Sequence, residues 1–133
     1  CGCEYAPNNG GKGSRRPERC EDCYPKRRQA ATLYFAAKNR AVKKKLEFNI
    51  TIDWIENLLT VCPRTGIEFV LGQGSDYSNR HPYGPSIDKK NPNRGYTTDN
   101  CEVVCWMYNA AKGRYTDKEL LDFCKQVVSL SNT

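Results

Sequence analysis

The chain has 133 residues, a length typical of one domain with a modest hydrophobic core. Hydrophobic residues make up 38% of it and charged residues 27%, and no apolar run reaches the roughly 18–20 residues of a membrane span, so membrane, collagen-like and low-complexity classes are excluded. The net charge of +6 is unevenly placed: residues 1–50 hold 12 Lys and Arg against 5 Asp and Glu, and residues 51–133 hold 9 against 10. A basic half is typical of proteins that bind nucleic acid, although a solvated basic face is the alternative.

Two cysteine pairs lie at the start of the sequence. Cys1 and Cys3 form a C-x-C pair, Cys20 and Cys23 form a C-x-x-C pair, and the 16 residues between the pairs are too rich in Gly, Asn and Ser to build a core. Four thiolates at this spacing can hold one tetrahedral zinc ion, and two disulfides are the alternative. Residues 1–25 contain no apolar run like that of a secretory leader, so we expect a structural Zn²⁺ in a cytoplasmic protein.

Two helices are predicted next. Residues 26–46 contain Ala, Leu and many basic residues without Gly or Pro, which predicts a basic helix. Its expected apolar face consists of Ala31, Tyr34, Phe35, Ala41 and Val42. Residues 51–61 predict a shorter amphipathic helix, with Thr51 as its N-cap and with Ile52, Ile55, Leu58 and Leu59 at helical spacing.

The remaining sequence predicts short elements. Residues 66–71 predict a strand, residues 72–85 a loop, residues 85–89 an extended piece, residues 91–100 turns, and residues 101–105 a second strand. A short helix is expected over 106–113, ending at Gly113, and a capping box of Thr116 and Glu119 opens a C-terminal helix. We therefore expect an α+β single domain over 1–133: a zinc module over 1–25, helices over 26–61, a ββα finger over 62–115 and the last helix over 116–130.

Four further cysteines, Cys62, Cys101, Cys105 and Cys124, have no partner at ligand spacing and are interpreted as small buried hydrophobic residues. Cys62 and Cys105 each resemble half of a zinc knuckle in which Thr65 or Tyr108 replaces the second cysteine. A second metal shared by these two cysteines is therefore left open.

An acidic residue and an amide are spaced so that a ββα unit could bring them together. Asp88 ends the first strand, and Asn109 lies on the following helix 21 residues later. Carboxylate and amide oxygens are suitable ligands for a hard divalent ion, which can bind a scissile phosphate. On spacing alone, the two could also be ordinary surface residues.

Several motifs of this segment recur together in a known family. They are Ser86-Ile87-Asp88-Lys89, Gly95-Tyr96, Asp99-Asn100, Cys105-Trp106-Met107-Tyr108-Asn109 and Lys112-Gly113. The segment resembles the HNH, or His-Me finger, family of ββα-metal endonucleases, in the branch of phage nucleases and small rare-cutting restriction enzymes with structural zinc. The resemblance implies phosphodiester hydrolysis in double-stranded DNA with catalytic Mg²⁺ or Mn²⁺.

The resemblance also implies residue roles. Asp88 and Asn109 would hold the catalytic ion, and Asn100 would bridge the loop of the finger. Lys89 occupies the position of the general-base histidine of the family; a charged lysine can contact phosphate but cannot accept a proton from water. His81, the only histidine, is a candidate base, although a loop histidine is often a plain surface residue.

Basic residues are the predicted DNA contacts. Lys43, Lys44 and Lys45 are expected to bind phosphates, and Arg15, Arg16, Arg19, Arg27 and Arg28 are candidates for phosphate or base contacts. We expect a protein of a bacterial or phage-infected cell, with a homodimer as one option. The main alternative is a nuclease-dead, zinc-stabilised nucleic-acid-binding protein, and a secreted disulfide protein is the third.

Overall fold

A computed structural model of the protein describes residues 23–72 and 80–131, with the backbone alone described for residues 23 and 24. The elements are α1 (Cys23–Lys44), α2 (Ile52–Asn57), β1 (Pro85–Lys89), β2 (Cys101–Cys105), α3 (Trp106–Lys112) and α4 (Asp117–Ser131). This is an α+β fold, as expected. Most of the predicted zinc module, including Cys1, Cys3 and Cys20, lies outside the described residues. Within them, no helix is long and apolar enough to cross a membrane.

Local capping signals start α2 and α4 and end α3 as predicted, whereas α1 begins at Cys23 and ends at Lys44, two to three residues before the predicted bounds of 26–46. The Thr51 side chain accepts a hydrogen bond of 3.1 Å from the Trp54 N–H at the start of α2. Thr116 and Glu119 form the predicted capping box, because the Thr116 hydroxyl accepts from the Glu119 N–H at 3.1 Å and the Glu119 carboxylate accepts from the Thr116 N–H at 3.4 Å. Gly113 ends α3 with a positive φ of 54°. Helix α2 is shorter than predicted and ends at Asn57.

The apolar face of α1 is rotated from the predicted one. The buried residues are Ala30, Leu33, Ala37 and Ala41, whereas Phe35 and Val42 are 56% and 70% exposed. Of the predicted apolar face, Ala41 is buried as expected, but the prediction was wrong for Phe35 and Val42. Small alanines at helical spacing let α1 approach α2 closely, and an ion pair of Arg27 with Glu56 at 3.0 Å joins the two helices.

The two strands form an antiparallel sheet whose register places Ser86 opposite Val104 and Asp88 opposite Glu102. The predicted strand over 66–71 was wrong. This segment makes a single isolated bridge, Val61 to Glu68, and a tight turn closed by the Cys62 N–H bonded to the Ile67 carbonyl. Without a continuous partner strand, an apolar run of six residues stays irregular.

Two hydrophobic clusters support the sheet. The larger one joins the buried face of α1 to Ile55, Leu59, Ile87 and Val103, among others. The smaller one contains Cys62, Val104 and Cys105, and the Cys105 N–H donates to the Cys62 sulfur at 3.3 Å.

The cysteine prediction is confirmed for three of the four residues. Cys62, Cys101 and Cys105 are buried, whereas Cys124 is exposed on α4, so the prediction was wrong there. In the described part of the chain, neither Cys62 nor Cys105 belongs to a group of three or more His, Cys, Asp or Glu side chains close enough to share an ion. Both of these cysteines are buried in the smaller hydrophobic cluster.

Candidate active site in the finger

One amide side chain makes three hydrogen bonds within the loop between the strands. Asn100 donates to the carbonyl oxygens of Gly95 at 2.8 Å and Asn91 at 3.1 Å, and it accepts from the Asn91 N–H at 3.0 Å. Gly95 lies against Glu47, where an added Cβ atom would collide with the Glu47 carbonyl oxygen. A side chain at position 95 would therefore push the finger away from the segment between α1 and α2.

A cavity of about 260 Å³ opens between the finger and α1. Its polar lining combines an acidic residue, an amide and three basic residues: Asp88, Asn109, Arg40, Arg80 and Lys89. Sequence analysis predicted that Asp88, Lys89 and Asn109 share a site, and all three line this one cavity. Arg40 comes from α1, so the basic helix contributes a charge to the same place.

Asp88 is buried, with 4% of its surface exposed, and it is paired with a lysine from α3. The Lys112 Nζ donates to Asp88 Oδ2 at 2.6 Å. Burial raises the pKa of Asp88 above its usual value, and the bond to Lys112 offsets only part of that rise. The carboxylate is therefore held in place by a buried ammonium group.

Asn109 is oriented by two acceptors on β1. Its Nδ2 donates to the Ser86 hydroxyl at 2.7 Å and to the Ile87 carbonyl at 3.3 Å. Both bonds use the amide nitrogen, so the amide oxygen is left for another partner.

The donor atoms that remain suit a hard divalent ion. The bond from Lys112 uses Asp88 Oδ2, and the bonds from Asn109 use its Nδ2, so each side chain keeps an oxygen for an ion. An anionic and a neutral oxygen at one cavity match the ligands that Mg²⁺ takes beside water. The residues present thus fit the ion that the resemblance implies.

Lys89 lies on the cationic side of the cavity. Its Nζ donates to the Pro92 carbonyl at 3.0 Å and lies 5.0 Å from the centroid of the Tyr96 ring. Arg40 donates from Nε to the Tyr96 hydroxyl at 3.0 Å. Tyr96 therefore holds two cations at the cavity, which suits a phosphate group.

His81 is not brought together with Asp88 and Asn109. Among the described residues, its neighbour Arg80 lines the cavity, and His81 does not. The His81 Nδ1 accepts from the Tyr83 N–H at 3.0 Å, so in the neutral ring the proton lies on Nε2. His81 as the base stays an untested prediction, and its occupied Nδ1 and its place outside this lining argue against it.

Sequence reasoning missed the charged network behind the cavity. Oxygen atoms of Asp88, Glu102 and Asp117 lie within 4.8 Å of one another, and Lys112 and Arg64 pair with them. The Lys112-Gly113 motif was the one available signal, but a lysine at the end of a short helix ordinarily indicates solvent exposure.

The predicted DNA contacts are placed unevenly. Lys43, Lys44 and Lys45 are exposed at the end of α1, and Arg28 is also exposed. Arg27 forms ion pairs with Asp53 and Glu56. Arg15, Arg16 and Arg19 lie outside the described residues.

Among solved structures, the chain is similar to PacI, a rare-cutting HNH restriction endonuclease that exhibits a mechanism of DNA perturbation. The TM-score is 0.55 at 15% sequence identity, and the similarity covers 98% of this chain and 91% of that chain. At this identity the likeness concerns the fold, in which a ββα finger is set among helices. No family model matches the chain, and no curated protein sequence matches it.

Proposed function

We propose that the protein is an HNH-type endonuclease that hydrolyses phosphodiester bonds in duplex DNA with the help of Mg²⁺ or Mn²⁺. The main support is the meeting of Asp88, Asn109 and Lys89 at one cavity of the finger. The fold likeness to the HNH restriction endonuclease PacI supports the same class of activity.

The residues of the cavity have complementary tasks in this proposal. Asp88 and Asn109 hold the divalent ion, which neutralises charge on the scissile phosphate and on the leaving oxygen. Lys89 and Arg40 bind phosphate oxygens, because both present a cation to the cavity. Asn100 keeps the loop in shape, and the proton of the attacking water passes to solvent.

Binding of the duplex is proposed to depend on the basic half of the chain. The exposed lysines 43–45 at the end of α1 contact DNA phosphates, and Arg28 and the arginines of residues 15–19 extend that surface. A Zn²⁺ held by Cys1, Cys3, Cys20 and Cys23 stabilises the first 25 residues. We place the protein in the cytoplasm of a bacterial or phage-infected cell, where a homodimer would cut both strands.

A plasmid-cleavage assay with Asp88→Asn tests the proposal. Asparagine keeps the shape of the side chain and removes the charge that binds the ion, so cleavage with Mg²⁺ or Mn²⁺ should fall by at least about 100-fold, as expected for a loss of several kcal/mol. DNA binding in a gel-shift assay should change little. Asp122→Asn is the control, because Asp122 is an exposed carboxylate on α4 paired with Lys118.

The alternative function predicts another outcome in the same assay. A nuclease-dead DNA-binding protein would shift plasmid DNA without nicking it under any divalent ion. If the wild-type protein never cuts long natural DNA, the endonuclease proposal is wrong and the alternative takes its place.

A further inference from the structure

Lys112 is the most deeply buried charge in the described part of the chain. Its side chain is 1% exposed, and its Nζ lies 2.6 Å from Asp88 Oδ2 and 3.6 Å from Asp117 Oδ1. A weaker contact of 3.4 Å reaches the Lys89 carbonyl. Because burying an ammonium is costly, it is retained only where several oxygens surround it.

The position of Lys112 divides the two oxygens of Asp88. Oδ2 binds the ammonium, so Oδ1 is the oxygen that Asp88, which lines the cavity, has left for an ion. The carboxylate lies on β1, and Lys112 lies on α3, which packs against that strand. Rotation of the carboxylate would break the bond to Lys112 and leave the ammonium short of a partner.

We infer that Lys112 is a positioning residue that limits Asp88 to one metal-facing oxygen and thereby favours small octahedral ions over Ca²⁺. This inference rests on the proposed function, because it concerns the ion held by Asp88. Mg²⁺ demands near-ideal octahedral geometry, with few protein oxygens and several waters. Ca²⁺ takes six to eight ligands and often binds both oxygens of a carboxylate. A carboxylate with one oxygen already bound to an ammonium can give Mg²⁺ its single oxygen ligand, but it cannot bind Ca²⁺ through both oxygens.

The test compares ion affinities with Lys112 present and absent. Lys112→Met keeps the length of the apolar stem, but it leaves Asp88 and Asp117 without their shared cation, which destabilises a buried pair. The double variant Lys112→Met/Asp117→Asn removes one of these charges, and Asp117→Asn alone is its reference. Circular dichroism establishes which variants fold.

Calorimetric titration of the zinc-loaded protein with Mg²⁺ and with Ca²⁺, without DNA, is the measurement. Loss of the Lys112 charge raises the affinity for every divalent ion, and this common effect cancels in the ratio of the two affinities. We expect the Ca²⁺ to Mg²⁺ affinity ratio of the double variant to rise roughly tenfold over its reference, since the freed oxygen adds a ligand for Ca²⁺.

Two outcomes would overturn the inference, and they are distinct. The first is an unchanged Ca²⁺ to Mg²⁺ affinity ratio in variants whose ion binding is still abolished by Asp88→Asn. This result would show that Lys112 does not select the ion, and it would leave the proposed metal site intact. Ion binding that is indifferent to Asp88→Asn in the wild-type chain removes the metal site of the proposed function, and the role of Lys112 with it.

Discussion

The side-chain amide of Asn109 donates a hydrogen bond of 2.7 Å to the hydroxyl of Ser86, two residues before Asp88 on β1. This bond crosses from α3 to β1 and uses the amide nitrogen, so the Asn109 oxygen is left for another partner. The two proposed ion ligands are thus oriented separately, Asn109 by Ser86 and Asp88 by Lys112. Ser86 and Lys112 are both buried. A substitution at either residue changes the orientation of one proposed ion ligand without replacing that ligand.

Ser86→Ala should weaken the ion site without removing a ligand. The variant leaves the Asn109 amide with one acceptor, the Ile87 carbonyl at 3.3 Å, so the amide can rotate. We expect Mn²⁺ affinity, measured by titration calorimetry, to fall by about 3- to 10-fold, and stability in urea to fall by about 1–2 kcal/mol. Ser129→Ala, at an exposed position of α4, is the control for stability. An unchanged affinity would show that Asn109 needs no orientation by Ser86.

Asp117→Asn should lower stability in a pH-dependent manner. Burial alone would raise the pKa of Asp117, but the hydrogen bond from Tyr108 at 2.5 Å and the charges of Lys112 and Arg64 outweigh it, so the pKa is lowered. A lowered carboxyl pKa gives stability that is present above the unfolded pKa of 3.8 and is lost as the pH falls through the folded pKa.

Urea unfolding at two pH values measures this effect. At pH 7 we expect Asp117→Asn to be less stable than the wild type by about 1–2 kcal/mol, with allowance for the partial exposure of the pair. Well below pH 3.8 the difference should shrink, because the wild-type carboxyl is then protonated. A difference that stays constant with pH would mean that the Asp117 charge is not the cause. Asp122→Asn, at an exposed position of the same helix, should change stability by less than about 0.5 kcal/mol.

Replacing Lys43, Lys44 and Lys45 together by Gln should weaken DNA binding and its dependence on salt. Each lysine that contacts a phosphate adds roughly one to the slope of log affinity against log salt, so the slope should fall by up to about 3. Gel-shift titrations at several salt concentrations measure the slope. The control replaces Lys118 and Lys125, which are exposed on α4. If the triple variant keeps the wild-type slope, the end of α1 is a solvated face.

Elements that depend on local chemistry were predictable from the sequence. Thr51 and the Thr116–Glu119 box cap helices through contacts three residues apart, and Gly113 ends α3 with a positive φ. The meeting of Asp88 and Asn109 at one cavity was also predictable, because the family pattern fixes their spacing, and their roles as ion ligands stay predictions. That family pattern lies within one segment, residues 85–113.

Features that depend on distant partners were not predictable. Residues 66–71 have a strand-like sequence, but this segment pairs with the rest of the described chain through one isolated bridge and has no neighbouring strand there. Phe35 is the largest apolar residue of its stretch, yet it is exposed, because the small Ala37 and Ala41 face the core instead. Lys112 is buried because carboxylates from β1 and α4 converge on it, and no local pattern encodes that convergence.

Cys20→Ser should release one zinc ion per chain. Four thiolates from Cys1, Cys3, Cys20 and Cys23 are the predicted ligands, and a module with little core of its own depends on the ion for folding. Metal analysis by mass spectrometry should find one zinc in the wild-type protein and much less in the variant. Cys124→Ser is a matched control, because Cys124 is an exposed free thiol on α4. Wild-type protein without zinc, purified without chelator, would contradict the prediction, and disulfides would then be sought.

His81→Asn separates a catalytic role of the histidine from a structural one. Asparagine can still accept the hydrogen bond from the Tyr83 N–H that His81 Nδ1 accepts at 3.0 Å, but it cannot take up a proton near neutral pH. Because Nδ1 is occupied and His81 lies outside the described lining of the cavity, we expect the cleavage rate to change by less than about threefold, far below the 10²–10⁴-fold of a general base. His81→Ala removes the side-chain hydrogen bond as well, although the backbone bond from the Gly84 N–H to the His81 carbonyl remains, so it should cost somewhat more. Rates measured across pH give the sharper readout: a general base must be unprotonated, so its loss would abolish the fall in rate at acid pH. A drop of 100-fold or more in both variants, with that acid limb gone, would establish His81 as the base and contradict the transfer of the proton to solvent.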